Sequence, residues 1–128
     1  MATWDDVRRI ALALPEAVEQ TGGDGRLQWR VRGKLFVWER PLRRGDLDAL
    51  GAAAPDGPIV AARVADVGVK EALVADDAAV YFTTPHFNGY AAVLVRLPLI
   101  PVPELAELVV DAWLDRAPKR LAAQYRAS

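Results

Sequence analysis

The chain contains no cysteine, one histidine and one serine, and that serine is its last residue, Ser128. Disulfides, thiolate-bound zinc and cysteine nucleophiles are excluded outright. No serine nucleophile stands inside the chain, and Thr83 and Thr84 lack a recognisable base-and-orienter arrangement. The residues therefore read as non-enzymatic, with no cofactor and no catalytic group. Long apolar runs are missing too. The most apolar stretch, from Tyr90 to Val102, is interrupted by Arg96, Pro98 and Pro101, well short of the roughly 20 apolar residues that span a bilayer. The opening MATWDDVRRIALALPE places acids first and lacks the basic-then-apolar order of a signal peptide. These features point to a soluble, cytoplasmic protein with no membrane partner.

Metal-binding patterns are equally sparse. Asp46/Asp48, Asp76/Asp77 and Asp111/Asp115 offer oxygen ligands, but none falls in a calcium-loop pattern. The glycines of 22–25 are not followed by the Lys-Ser/Thr of a phosphate loop. The expectation is no metal site.

What is present suffices for one domain over residues 1–128. A chain of this length with 52% hydrophobic residues builds a core without staples. The charge is nearly balanced, 16 basic against 17 acidic, but it is segregated. Residues 26–44 hold seven bases (Arg26, Arg30, Arg32, Lys34, Arg40, Arg43 and Arg44) and one acid, Glu39, a net +6; the remainder carries −7.

Thr3, with Asp6 three residues on, caps a helix over about 3–14, whose apolar stripe is Trp4, Val7, Ile10, Ala11 and Leu14. A further turn reaches toward Val18, and 21–25 reads as a loop. Leu27, Trp29 and Val31 alternate with polar residues as a strand, Arg32-Gly33 turns, and Lys34 to Trp38 returns. In that register Trp29 opposes Phe36 and Leu27 opposes Trp38 on one face, with Arg30 opposite Leu35 on the other. A helical turn fits 46–52, strands fit 59–64, 79–83 and 90–97, and Asp66 caps a short helix to about Ala75. Pro103 opens a helix with an acidic stripe at Glu104, Glu107, Asp111 and Asp115, read as a solvated face. Pro118 ends or kinks it before a final segment at 119–125. The order of elements is that of an α+β domain with an antiparallel sheet.

The segments Ala11-Leu-Ala-Leu-Pro15-Glu16, Val31-Arg-Gly-Lys-Leu-Phe-Val37, Tyr81-Phe-Thr-Thr-Pro-His-Phe-Asn-Gly-Tyr90 and Ala112-Trp113…Ala117-Pro118-Lys119-Arg120 carry a resemblance. In order and spacing the chain resembles the MmcQ/YjbR family, whose fold is frataxin-like (CyaY-like). The resemblance implies terminal helices packed together on one face of the sheet, and a DNA-binding role. It transfers no catalytic residues. Frataxin-like proteins hold iron on an acidic ridge of the first helix, and Asp5 and Asp6 beside Arg8 and Arg9 do not form one.

Two regions are candidate sites. Arg30, Arg32, Lys34, Arg40, Arg43 and Arg44 lie among Trp29, Phe36 and Trp38, the cations and aromatic rings that contact phosphates and stack on bases. Weak, salt-dependent DNA binding is the expected partner interaction. The competing reading packs the aromatics under the helices and leaves the arginines to solvate the sheet. The loop at 83–90 offers Thr84, His86 and Asn88 for a small ligand or a protein partner, or else Pro85 and Asn88-Gly89 are only turn chemistry.

Overall fold

The computed structural model describes residues 2–55 and 57–127. Helix α1 (Trp4–Leu12) begins with a reciprocal capping box: Thr3 Oγ1 accepts from the Asp6 amide, and Asp6 accepts from the Thr3 amide at 2.9 Å. The chain then reverses at Glu16, which holds a left-handed φ of 58°, and enters strand β1 (Ala17–Thr21). This strand corrects the helical continuation expected toward Val18. Strands β2 (Leu27–Val31), β3 (Lys34–Glu39), β4 (Ile59–Arg63), β5 (Tyr81–Phe82) and β6 (Ala92–Arg96) complete a six-stranded antiparallel sheet. Among the described residues its order is β1-β2-β3-β4-β6-β5.

The β2–β3 hairpin closes through Arg32 and Gly33 at φ 50° and 80°, the pair of positive angles that a two-residue turn matched to strand twist requires. Its register departs from the simple alternation. A bulge between Trp29 and Arg30 places Trp29 opposite Val37 and Gln28 opposite Trp38. Arg30 still faces Leu35. One extra residue in β3 thus sends Trp38 to the face away from Trp29.

Helices α1 and α4 (Val102–Arg116) pack together on one face, with α4 lying across β3 and β4. The core there is built on Trp29, Phe36, Val37, Val60, Val93, Leu105, Val109 and Trp113, all buried. Trp113 donates its indole N–H to the Pro15 carbonyl at 3.0 Å, and Tyr125 of α5 (Lys119–Ala127) leans on its ring. The other face carries a smaller apolar cluster: Ile59, Ala61, Phe82, Phe87, Ala92 and Leu94, flanked by Trp38, Leu42 and Leu50. Helix α2 (Arg44–Leu50) and a 3₁₀ turn at Pro85–Phe87 cover it. Consequently β4 and β6 are buried on both sides. Helix α3 (Val67–Asp76) is capped by Asp66, whose carboxylate accepts from the Val69 amide at 2.9 Å. No described helix is long and apolar enough to cross a membrane.

Candidate nucleic-acid interface

The second face of the sheet holds a groove of about 640 Å³ between the β2–β3 hairpin and the 85–90 loop. Arg26, Gln28, Leu35 and Trp38 form one wall; His86, Asn88 and Tyr90 form the other; Arg40 and Arg43 lie between them. Two regions more than forty residues apart in the chain, read separately from the sequence, are therefore two sides of one groove. Sheet order explains this. β4 and β6 separate β3 from β5, and the loop after β5 folds back over their open face.

The arginines are not equivalent. Arg40 is buried, 5% exposed, and its Nη2 donates to Asp46 Oδ2 at 3.0 Å. Its guanidinium also bonds the Pro41 carbonyl and lies 5.2 Å from the Phe87 ring centroid. Arg40 is thus a structural cation joining α2 to the 85–87 turn, which corrects its expected role as a phosphate contact. Asp46 also accepts from the Arg43 amide at 2.9 Å, capping α2. Burial alone would raise the Asp46 pKa. The Arg43 amide, the nearby Thr84 hydroxyl and the Arg40 guanidinium outweigh it and hold the carboxyl below its ordinary range.

Arg32 donates from Nε and Nη2, one edge of its guanidinium, to both carboxylate oxygens of Glu16, and Arg26 meets Glu39 at 3.5 Å. Arg30 differs. It is held at 2.9 Å by Gln28 Oε1 and at 3.0 Å by the Gly33 carbonyl, neutral acceptors that position the guanidinium without cancelling its charge. Lys34, Arg43 and Arg44 are exposed, and none enters an ion pair among the described residues.

On the opposite wall, His86 and Asn88 are exposed. Tyr90 is 43% exposed, with the Arg63 guanidinium 4.7 Å from its ring centroid. Thr84 does not join them. The chain turns after it, leaving Thr84 buried beneath the turn with its hydroxyl facing Asp46 but outside hydrogen-bond geometry, so it is not an open ligand donor. The aromatic residues divide as well: Trp29 and Phe36 are in the helix-side core, while Trp38 is half-buried beside the groove.

One residue that holds the site left no mark in the sequence reading. Lys70 of α3 is 4% exposed, and its ammonium donates to the carbonyls of Phe87 at 2.6 Å and Tyr90 at 2.8 Å. Burial lowers its pKa, with Glu71 opposing weakly. No described group of three or more His, Asp or Glu residues is arranged to hold a metal ion.

The family model described as YjbR matches residues 12–114, as the four sequence segments indicated. The uncharacterised proteins Mb2600 of Mycobacterium bovis and Rv2570 of Mycobacterium tuberculosis are each 55% identical over 131 residues, spanning 100% of this chain and 98% of their own. The crystal structure of Deinococcus radiodurans protein DR2400, with the family-model domain DUF419, shares the fold at a TM-score of 0.66. That match covers 89% of this chain and 78% of the other at 21% identity.

Proposed function

The chain belongs to the YjbR family, and on that premise we propose that it is a non-enzymatic DNA-binding protein whose open-face groove takes a single strand. One observation carries this reading: an uncancelled cation, Arg43, shares a groove with exposed His86 and Tyr90, and Gln28 of the groove wall holds the Arg30 guanidinium beside it. Cations tracking phosphates beside rings that accept a base is the design of sequence-tolerant strand binding. Arg44, next to Arg43 at the start of α2, extends the basic track. With few free cations and a net charge of −1, binding is weak, with a dissociation constant on the order of 1–100 µM at physiological salt. Anisotropy of a labelled oligonucleotide tests it. The wild type binds at low salt and Arg43→Ala with Tyr90→Ala binds markedly less; no binding at about 100 µM protein, or equal binding by the double variant, refutes the proposal.

A second reading, a small ligand in the same groove, rests on its volume of about 640 Å³, within the range of small-molecule pockets. Nucleoside monophosphates that raise the melting temperature of the wild type but not of His86→Ala support it. Equal shifts, or none, count against it.

A further inference from the structure

A second groove, of about 990 Å³, opens between α3 and the α4–α5 pair and shares no lining residue with the first. Its floor is apolar, built from Val64, Leu73, Leu108 and Leu114, and Val69 at its edge is 40% exposed. Its long wall is the acidic stripe of α4. Glu104, Glu107, Asp111 and Asp115 recur at three- and four-residue steps, so they stand one above another on a single helix face. That stripe is solvated, as read from the sequence, with Glu107, Asp111 and Asp115 exposed, and it also lines a concavity. Glu104 accepts the Tyr81 hydroxyl at 2.6 Å. Asp76 and Asp77 add two more carboxylates from the end of α3.

Six acids thus face three bases, Arg63, Lys119 and Arg126. None of the six enters an ion pair among the described residues. A concave wall of one sign over an apolar floor focuses its field outward. The charge excludes nucleic acid and acidic segments. The floor favours an occupant with an apolar side over a bare cation.

We propose that this groove docks a basic amphipathic helix of a partner protein. Its apolar stripe would rest on Leu73, Leu108 and Leu114, with lysines or arginines against Glu107, Asp111 and Asp115. From Glu104 to Asp115 the wall is about 17 Å long at 1.5 Å per residue, which suits a partner helix of about three turns. The occupant is not a second copy of this chain, because the apolar stripes of α1 and α5, Val7, Ile10 and Ala11 on one and Leu121 and Ala122 on the other, are already buried in its own core.

The test uses the full chain and a fluorescent peptide of about 14 residues, leucine and lysine in helical period. Three comparisons accompany it: the same residues scrambled, a leucine–glutamate counterpart, and spermine as competitor. The expected result is saturable binding of the periodic peptide, about tenfold weaker for the scrambled peptide and for Glu107→Gln/Asp111→Asn. The Leu/Glu peptide should not bind, and Arg43→Ala should bind as wild type does. Both substituted acids are exposed, and an unchanged melting temperature verifies the fold. Equal binding of the scrambled peptide, equal binding by the double variant, displacement by spermine at equimolar concentration, or no binding at about 100 µM each overturns the proposal.

Discussion

The ammonium of Lys70 lies 2.6 Å from the carbonyl oxygen of Phe87, so a buried cation on α3 anchors the loop that forms one wall of the basic groove. Its second bond, to the Tyr90 carbonyl at 2.8 Å, fixes both ends of the turn. Lys70→Met removes the donor and leaves two carbonyls to find water. The expected loss is about 2 kcal/mol in urea denaturation, with faster amide exchange at Asn88 to Tyr90. Because burial lowers the Lys70 pKa from 10.5, the unfolded chain binds the proton more tightly. The Lys70 contribution to stability therefore rises with pH in the window just below 10.5, and Lys70→Met lacks that rise.

The Arg40–Asp46 pair, with side chains 6% and 4% exposed, predicts an asymmetric response. Removing one partner strands a buried charge, so Asp46→Ala costs about 3–5 kcal/mol. It also removes the cap on the Arg43 amide. Differential scanning calorimetry measures the change. A loss below about 1 kcal/mol would show the pair to be far less buried in solution.

Acid should weaken the β1 edge first. Arg32 lowers the Glu16 pKa, and Arg8, followed by the Trp29 indole N–H, lowers that of Glu19, both from 4.5. Asp6 is lowered from 3.8 by the Thr3 amide and Arg9. Carboxyls with lowered folded pKa values stabilise above their unfolded values and lose that contribution as pH falls through the folded ones. Thermal melts between pH 6 and 3, taken at about half-unit steps, should show the decline below 4.5. It should be shallower in Glu19→Gln.

The helices and turns were legible because their signals are local. Thr3 and Asp66 cap where expected, and Arg32-Gly33 turns the hairpin. Strand β1 was not legible: Ala17 to Thr21 alternates no large apolar residues, since it is an edge whose residues are mostly exposed, and its start depends on the left-handed Glu16. The bulge at Trp29 and Arg30 was invisible because alternation on β2 alone carries no register. For the site, the residue types were visible but their pairing was not. Arg40 and Asp46 meet across Pro41, Arg32 and Glu16 across sixteen residues, and Lys70 and Phe87 across seventeen. No spacing rule encodes such contacts.

The most direct test is the salt dependence of single-strand DNA binding in wild type, Arg43→Ala, Arg44→Ala and Arg32→Ala. Each released phosphate contact lowers the slope of log K against log salt by about 0.7. Arg43→Ala and Arg44→Ala should each show that reduction. Arg32→Ala should leave the slope nearly unchanged, because Glu16 already neutralises Arg32. A slope unaltered in Arg43→Ala and Arg44→Ala, or binding indifferent to salt, contradicts the assignment of DNA to this groove.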